Sequence, residues 1–380
     1  MKILVLLKGN VIYDSRSCKE IGSLQHAGHE IVVFELPPHG REGTSLGNLA
    51  ELRSFRLFTR RLPKNLFFWT VKFLESTIFF WWHGWRLRPD AIHCHTQVFL
   101  LAAVLISKCL RIPLIYDMRD ITFAVASTRP KWFWLRYERL LVKIAKRVIV
   151  TDAYRLNIIA DQLRINQSKM HILTNYPRLA DAQRESKTVR DDFSTSKKLL
   201  VYTGMLFSGR HLEEIIKAMA ELGDRYALAI IGLGTTTYVD ELKALAKSIG
   251  VDGRTVILSA VNWFEVSAYI RSADCAFSLY EKNSLNNYYC SPTKLFDAMI
   301  VGVPVIGSDN PLIKDVIEGE GVGGCVSEVT EQTIVEAIKK VLERDDLTSF
   351  KANIAKVARR KYNWEAQEAG LLAVYEKLGK

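Results

Sequence analysis

Apolar residues along the chain form short runs that alternate with segments of helical spacing. The first half begins with an apolar run at 2–7, followed by a segment at 15–28 that is spaced as a helix and ends at a glycine. The same pattern predicts further strands at 30–34, 91–95, 114–117 and 147–151, and an apolar helix at 97–109. Short β-branched runs separated by helices indicate a parallel, doubly wound sheet.

The alternation is interrupted at 178–198, where the residues are polar and charged and offer little to bury. After this segment the pattern predicts strands at 199–203, 226–231, 254–258, 274–278 and 303–306, and helices at 211–222, 238–249, 263–271 and 292–301. We therefore expect two Rossmann-like domains, at 1–180 and 199–363, with a linker at 181–198. An amphipathic helix at 364–378 need not belong to the second domain.

The composition is that of an ordinary globular protein. Of 380 residues, 48% are hydrophobic and 24% are charged, which excludes a disordered or collagen-like chain. Six scattered cysteines form no CxxC pair, so we expect a reducing compartment and neither disulfides nor a structural metal. The first apolar run ends at Lys8 and predicts a strand rather than a signal peptide. No apolar run approaches the ~18 residues of a membrane span.

The net charge of +11 is concentrated in one part of the chain. The segment 52–147 contains 18 Lys and Arg residues against five Asp and Glu residues, a balance of 18 − 5 = +13, and the rest sums to −2. Six of the eight tryptophans lie in the same segment. Cations beside aromatic rings suit an anionic membrane surface, and the candidate membrane contacts are Trp81, Trp82 and Trp85.

This basic, aromatic segment is also compatible with two arrangements that involve no membrane. One is a buried aromatic helix with a solvated basic rim, and the second is a nucleic-acid-binding surface. Nucleic acid is the less favoured, because the apolar residues form contiguous blocks such as 78–82 instead of alternating with basic residues. Lys72 and Glu75 interrupt the apolar run and argue against a helix that crosses a membrane. We therefore expect contact with a membrane surface and no nucleic-acid partner.

The motif that begins at Ser291, SPTKLFDAM, predicts a helix that starts at an anion site. Ser is a favoured N-cap and Pro a favoured first helical residue, so we expect the helix to open at 291–292. The free N–H groups and the dipole of a helix start attract anions such as a diphosphate. Lys294 and Asp297 share one face, where they can reach a phosphate and a sugar hydroxyl. An ordinary capped helix with an exposed ion pair accounts for the motif equally well.

Two glycine-containing loops follow the first two strands of the second half. One begins at Gly204 and leads to Arg210, and the other carries Gly232 and Gly234. Neither loop completes the GxGxxG dinucleotide fingerprint, and a single glycine after a strand is usually only a turn. Arg210 stands where the loop meets the next helix, so we expect it to act with Lys294 in neutralising a diphosphate leaving group.

Polar residues also follow the strands of the first half. The carboxyl ends of parallel strands are where ligands bind, so Arg16, His95 and Asp120 are candidate acceptor or cleft residues. A lone histidine at such a place is more often structural. His93 and His95 would suit a metal pair, but no third ligand of matching spacing stands nearby in the sequence, and we expect no metal.

With these residues in view, the chain resembles the GT-B glycosyltransferases, specifically family four of the retaining, nucleotide-sugar-dependent enzymes. The resemblance covers nearly the whole chain and rests on these segments in order: DSRSCKEIGSLQHAGHEIVVFE, PDAIHCHT, IPLIYDMRD, VYTGMLFSGRHLEEIIKAM, LAIIGLG, VSAYIRSADCAFSLY and SPTKLFDAMIVGVPVIGSD. It implies an α/β protein of the GT-B type, with two Rossmann-like domains that face a central cleft. It also implies that the segment 364–380 packs on the N-terminal domain.

The resemblance implies roles for individual residues as well. Asp297 matches the second acid of the family's two-acid motif, which holds the donor ribose, and Val261 would lie near the base. Arg210 matches the basic residue that contacts the diphosphate. The implied donor-binding residues are Gly204, Arg210, Val261, Ser291, Thr293, Lys294, Leu295 and Asp297. The implied catalytic residues are Arg210, Lys294 and Arg119.

Two positions depart from the family pattern. The first acid of the motif would fall at Tyr289, so contacts to the donor sugar are not carried over. Arg119 stands where many relatives have a histidine near the donor sugar. An arginine cannot act as a base, although it can stabilise a phosphate or an acceptor hydroxyl.

The combined prediction is a retaining glycosyltransferase that moves a sugar from a nucleotide diphosphate sugar to an acceptor hydroxyl, without a metal or other cofactor. The basic, aromatic segment points to a lipid-linked or cell-surface glycan acceptor, and to a peripheral position on the cytoplasmic face of a membrane. Two alternatives stay open: a nucleotide-sugar 2-epimerase of the same fold, which needs no acceptor, and a catalytically inactive membrane-associated scaffold.

Overall fold

A computed structural model describes residues 1–37, 50–63, 65–121 and 131–378. They form two compact units. The first unit contains the chain up to Thr174 together with the chain from Gln367 onward, and the second unit runs from Asn175 to Ala366. No helix in the described part of the chain is both long enough and apolar enough to cross a membrane.

The first unit is built on a seven-stranded parallel sheet of order β3-β2-β1-β4-β5-β6-β7. Its strands are β1 (Lys2–Lys8), β2 (Glu30–Leu36), β3 (Glu51–Ser54), β4 (Ala91–Cys94), β5 (Leu114–Met118), β6 (Arg147–Val150) and β7 (Met170–Ile172). Its helices include α1 (Ser15–His26), α2 (Leu66–Leu87), α3 (Leu100–Leu110), α4 (Lys131–Leu141) and α5 (Ala153–Leu163). Because β1 pairs with both β2 and β4, the strand order reverses between β1 and β4.

The second unit repeats this arrangement with a six-stranded parallel sheet of order β10-β9-β8-β11-β12-β13. Its strands are β8 (Lys198–Thr203), β9 (Tyr226–Ile231), β10 (Thr255–Leu258), β11 (Cys275–Ser278), β12 (Val305–Ser308) and β13 (Gly323–Val326). Here the order reverses between β8 and β11. Two Rossmann-type sheets confirm the predicted fold class.

Short and longer helices connect these strands. In chain order they are α6 (Leu179–Gln183), α7 (Val189–Asp192), α8 (Leu212–Leu222), α9 (Thr236–Ser248), α10 (Val266–Ile270), α11 (Leu285–Tyr288), α12 (Thr293–Ile300), α13 (Pro311–Glu320), α14 (Glu331–Leu342), α15 (Leu347–Lys361) and α16 (Glu365–Glu376). The apolar side chains of β8 and β9 and the inner faces of α8, α12 and α14 form one buried core. Helix α16 begins in the second unit and continues into the first.

The segment predicted as a linker is instead part of the second unit. Val189 is completely buried in the core of that unit. Arg190 donates a hydrogen bond to the carbonyl oxygen of Ser272 at 2.9 Å and pairs with Asp274 at 2.8 Å. Its polar sequence therefore reflects contacts made by ion pairs and backbone hydrogen bonds, and the boundary falls at Asn175.

Several edges of the predicted elements also differ. The sequence analysis does not predict β3, β7 and β13, which lie at the sheet edges and lack a fully buried apolar run. The predicted helix at 97–109 is a 3-10 turn at Gln97–Phe99 followed by α3, and the predicted helix at 263–271 shortens to α10.

The basic, aromatic segment forms α2, which is half buried. Phe80 is completely buried, and Gly84 lies so close to α3 that an added Cβ would stand 2.4 Å from Ile106 Cδ1. The opposite side exposes four large apolar side chains to solvent: Phe67, Leu74, Ile78 and Trp82. The helix is therefore neither fully buried nor of a spanning type.

Candidate functional site

Two aromatic rings and a buried lysine lie at the carboxyl edge of the second sheet, where the strand order reverses. Lys294 is in the first turn of α12, and its Nζ lies 3.7 Å from the centre of the Tyr202 ring and 5.2 Å from that of Tyr280. Burial, and then the charge of Arg210, hold the pKa of Lys294 well below its usual value of 10.5. An anion bound here would stabilise the positively charged form of the lysine.

Arg210 shares the same aromatic platform. Its guanidinium carbon lies 4.0 Å from the centre of the Tyr280 ring and 4.4 Å from that of Phe207, and its Nη1 donates to Asn287 Oδ1 at 3.4 Å. Within the described ranges, neither Arg210 nor Lys294 has a carboxylate oxygen within 4.0 Å. Two cations held on rings, without a protein anion, form an anion-binding arrangement.

The backbone closes in on this pair at Gly204. This residue has φ +132°, and a Cβ there would stand 3.3 Å from Lys294 Nζ. A Cβ at Gly232 would stand only 1.7 Å from the carbonyl oxygen of Gly204, so the loops after β8 and β9 must meet without side chains. Gly232 is therefore required by close backbone approach, and Gly204 by its positive φ.

The start of α12 corrects the capping prediction by one residue. Pro292 is the N-cap, the helix begins at Thr293, and no side chain caps it. Ser291 Oγ is buried and has no hydrogen-bond partner among the described residues. The N–H groups of the first turn, which no side chain caps, and this hydroxyl can donate hydrogen bonds to an anion.

The other predicted donor-site residues lie around the same helix. Asp297 is half buried, and its Oδ1 accepts a hydrogen bond from Ser267 Oγ at 3.1 Å. Thr293 is half buried, whereas the Leu295 side chain is completely buried in the core, so only its backbone is available. Val261 follows β10 and packs against the core.

Sequence reasoning missed Tyr202, Phe207, Tyr280 and Asn287, which surround the two cations. The signals are present in the sequence, because Tyr202 precedes Gly204 in VYTG and Tyr280 comes two residues after a buried strand. A tyrosine at a strand end is too common to single out without the tertiary contact. Tyr289, at the position of the family's first acid, comes directly after α11.

A second cluster of charged side chains lies at the carboxyl edge of the first sheet. Arg16 Nε donates to Glu20 at 2.8 Å and Arg16 Nη2 donates to Asp117 at 2.7 Å, and all three side chains are buried. His95 Nδ1 lies 3.1 Å from Asp117 Oδ2 and 2.7 Å from Arg119 Nη2. These residues follow β1, β4 and β5, on either side of the switch point of this sheet.

Burial and neighbouring charges shift the pKa values of Glu20 and Asp117 in opposite directions. Burial and the neighbouring charge of Asp117 raise the pKa of Glu20. Burial also opposes ionisation of Asp117, but Arg16, a hydrogen bond from His95 and Arg119 outweigh it and lower its pKa. Arg119 also pairs with Asp14, the N-cap of α1. The surroundings therefore lower the pKa of Asp117 and raise the pKa of Glu20.

The expectation of no metal rests on finding no third ligand near His93 and His95 in the sequence, and the fold brings two further ligands to them. The fold brings Glu20 and Asp117 to His93 and His95, with one ligand atom of each within 4.8 Å of the others, so further ligands do stand nearby. Glu20 Oε2 and His93 Nε2 are buried and have no hydrogen-bond partner in the part of the chain that the structure describes. With Asp14, three carboxylates face two guanidinium groups, a balance of −1. One proton brings this balance to zero, whereas a divalent cation would leave +1.

The remaining predicted residues of the first unit differ in burial. Arg16 is buried and holds Glu20 and Asp117, whereas Asp120 is exposed and lies 3.9 Å from Arg155. The three tryptophans differ in the same way, because Trp82 is 44% exposed and Trp85 is half buried against it. Trp81 is half buried, and its indole nitrogen is buried without a hydrogen-bond partner among the described residues.

Two parallel sheets of Rossmann order, each with charged residues at its switch point, define a nucleotide-binding type of α/β enzyme. Two family models match the chain: "Glycosyl transferase 4-like domain" at residues 19–175 and "Glycosyl transferases group 1" at residues 183–361. The chain belongs to the group 1 glycosyltransferases of the GT-B fold.

Individual relatives are distant. The chain is 24% identical to N-acetylgalactosamine-N,N'-diacetylbacillosaminyl-diphospho-undecaprenol 4-alpha-N-acetylgalactosaminyltransferase of Campylobacter jejuni, over 59% of this chain and 58% of that protein. It is 25% identical to the phosphatidyl-myo-inositol mannosyltransferase of Mycobacterium leprae, over 62% and 59%. The matches thus span less than two thirds of these relatives' length. The structure of Anabaena HepE in complex with UDP-glucose aligns with a TM-score of 0.74 at 16% identity, covering 99% and 100%, which shows the shared fold.

Proposed function

We propose that the protein is a retaining glycosyltransferase that transfers a sugar from a nucleotide diphosphate sugar to an acceptor hydroxyl. The observation that carries the proposal is the pair of cations, Arg210 and Lys294, on tyrosine rings beside the open N-terminus of α12. Such a site suits a diphosphate, because two basic side chains and free N–H groups converge where neither side chain forms an ion pair with a described carboxylate. The UDP-glucose bound by Anabaena HepE, which has the same fold, supports a donor of this class.

In this proposal the protein acts mainly by stabilising the leaving group. Negative charge grows on the diphosphate as the glycosidic bond breaks, and Arg210, Lys294 and the α12 terminus offset it. Loss of one such donor typically lowers a rate by ~10²–10³. Asp297 would hold the ribose, and the departing diphosphate would take the acceptor proton on the same face of the sugar. No step requires a metal or another cofactor.

For the acceptor we propose a lipid-linked or cell-surface glycan precursor at a membrane. Helix α2 exposes an apolar stripe, and α4, which touches it through the Trp69–Trp134 ring contact at 5.1 Å, exposes Trp132, Phe133 and Leu140. Arg86 and Arg88 are exposed near the end of α2 and lie over the rings of Trp82 and Trp85. Apolar side chains bordered by arginines match an anionic membrane surface.

The names of the two relatives support this acceptor class, since one contains diphospho-undecaprenol and the other phosphatidyl-myo-inositol. We accordingly propose a peripheral position on the cytoplasmic face of a membrane and a role in the assembly of a surface glycan. In the first unit, Arg119 and His95 are the groups we propose for contact with the acceptor or the transferred sugar.

A nucleotide panel tests the donor assignment. We expect one of UDP, GDP, ADP, CMP and dTDP to stabilise the protein, by ~2.7 kcal/mol at a concentration near 100 Kd. This corresponds to a rise in Tm of roughly 5–10 °C. Asp297→Ala and Arg210→Ala should each weaken binding, and Lys340→Ala, which changes an exposed lysine, should not.

Four results would contradict the proposal. If no nucleotide binds, or if Arg210→Ala binds as tightly as the wild type, the two cations do not form a diphosphate site. If the nucleotide sugar is converted without any acceptor, the epimerase alternative replaces transfer. A tight nucleotide complex that supports no turnover with lipid-linked acceptors would favour the inactive scaffold.

A further inference from the structure

Asn310 is a completely buried polar residue that performs none of the capping expected at its position. It is the N-cap of α13, yet its side chain makes no capping hydrogen bond. An asparagine at an N-cap normally accepts from a free N–H of the first turn. Here Oδ1 accepts from Ser308 Oγ at 2.6 Å, and Nδ2 donates to the carbonyl oxygens of Asn287 and Tyr288 at 3.0 and 3.3 Å. The side chain therefore ties α11 to the end of β12.

Ser308 extends this connection to a second segment. It is almost completely buried, and its Oγ accepts the backbone N–H of Tyr280 at 3.0 Å while donating to Asn310. One buried chain of hydrogen bonds thus fixes the backbone at both Tyr280 and Asn287. Because these groups lie away from water, each bond restrains its partner strongly.

The two backbone positions held in this way carry the side chains that hold Arg210. The guanidinium lies 4.0 Å from the centre of the Tyr280 ring and donates to Asn287 Oδ1 at 3.4 Å. Among the described residues, neither Asn310 nor Ser308 has a hydrogen bond to Arg210 itself. A free arginine side chain loses rotamer freedom when it is fixed. Holding its platform rigid in advance reduces the cost of binding an anion.

We propose that Asn310 and Ser308 are positioning residues that preorganise Arg210 for the diphosphate of the donor. The proposal rests on the proposed function for the identity of the ligand. It deepens that function by assigning part of the affinity for diphosphate to residues that do not touch the ligand. Positioning, in contrast to general stability, predicts that most of their effect is transmitted through Arg210, while a smaller part passes to Lys294 through the shared Tyr280 ring.

A double-mutant cycle measures this transmission. The quantity is the Kd of the nucleoside diphosphate selected in the panel, obtained by calorimetry for the wild type, Asn310→Ala, Arg210→Ala and the double variant. We expect Asn310→Ala to weaken binding by about tenfold in the wild-type background. In the Arg210→Ala background the same substitution should change the Kd less than about twofold.

Asn363→Ala provides the matched control. Asn363 is also buried in the second unit, donates through Nδ2 to the carbonyl oxygens of Ala358 and Arg359, and accepts from the Ala366 N–H. Asn363→Ala therefore removes three hydrogen bonds, as many as Asn310→Ala, and none of the three involves Arg210 or α11. We expect a comparable fall in Tm and an unchanged Kd. If Asn310→Ala is too unstable, Ser308→Ala replaces it in the cycle, since it removes only the hydroxyl oxygen.

The outcomes separate the two proposals. If the wild type binds no nucleoside diphosphate, the proposed function fails before the cycle begins. If it binds and Asn310→Ala or Ser308→Ala leaves the Kd unchanged, the positioning role is overturned while the diphosphate site stands. Independent, multiplicative losses from Asn310→Ala and Arg210→Ala would overturn it as well.

Discussion

Lys294 shows how a single residue can be arranged for ligand binding at the expense of stability. Its ammonium group is buried over the Tyr202 ring, beside the positive charge of Arg210 and without a carboxylate within 4.0 Å among the described residues. A cation in this position is poorly compensated until an anion arrives. The lowered pKa of Lys294 reflects the same cost of burying a charge that is poorly compensated.

Lys294→Met should therefore stabilise the free protein and abolish diphosphate binding. Between the lowered pKa of the folded protein and 10.5, the unfolded chain holds more protons, so the free energy of unfolding of the wild type rises with pH. The difference in free energy of unfolding between Lys294→Met and the wild type should be largest at low and neutral pH and shrink towards pH 10.5. Each kcal/mol corresponds to about 2–4 °C in Tm. Thermal melts from pH 6 to 10 measure it, with exposed Lys340→Met as control; a variant less stable than the wild type at pH 7 would contradict the argument.

At the scale of elements, the sequence predicts what local patterns encode and misses what tertiary contacts decide. The strands β1, β8 and β9 each contain an uninterrupted run of buried residues that is mainly apolar, so their existence follows from the sequence. The polar segment around Arg190 gives no such signal, because its partners Ser272 and Asp274 are distant in the chain.

The candidate sites follow the same division. Lys294 and Arg210 can be predicted from helix starts and loops, whereas the rings of Tyr202 and Tyr280 beneath them depend on how the strands pair. In the same way, the HxH spacing is visible in the sequence, but Glu20 joins it only through the fold.

A substitution at Gly232 tests how far the candidate site depends on the contact between the loops after β8 and β9. A Cβ at Gly232 would stand 1.7 Å from the carbonyl oxygen of Gly204, which is backbone and cannot rotate away. Gly232→Ala should therefore push the loops after β8 and β9 apart, lower the free energy of unfolding by about 1–3 kcal/mol and weaken diphosphate binding. In Gly253→Ala, the added Cβ meets nothing within 4 Å. Urea denaturation and calorimetry of both variants check this, and equal behaviour of the two would refute the close-approach argument.

For the whole molecule, the distribution of charge and exposed apolar surface predicts where the proposed membrane contact lies. The segment 52–147 carries a charge of +13, and within it α2 exposes Leu74, Ile78 and Trp82. Apolar contact and electrostatic attraction then act on one surface, so binding should depend on both anionic lipid and ionic strength.

Replacing Leu74, Ile78 and Trp82 together by serine tests this surface. We expect the triple variant to lose most of its sedimentation with vesicles that contain anionic lipid, while the wild type binds them and releases at high salt. These side chains are exposed, so the variant should keep the Tm and the nucleotide affinity of the wild type. Leu285→Ser, which removes an equally exposed apolar side chain from the second unit, should bind vesicles normally. Full vesicle binding by a folded triple variant would move the membrane contact away from α2 and leave the diphosphate site unaffected, because the two surfaces belong to different units of the chain.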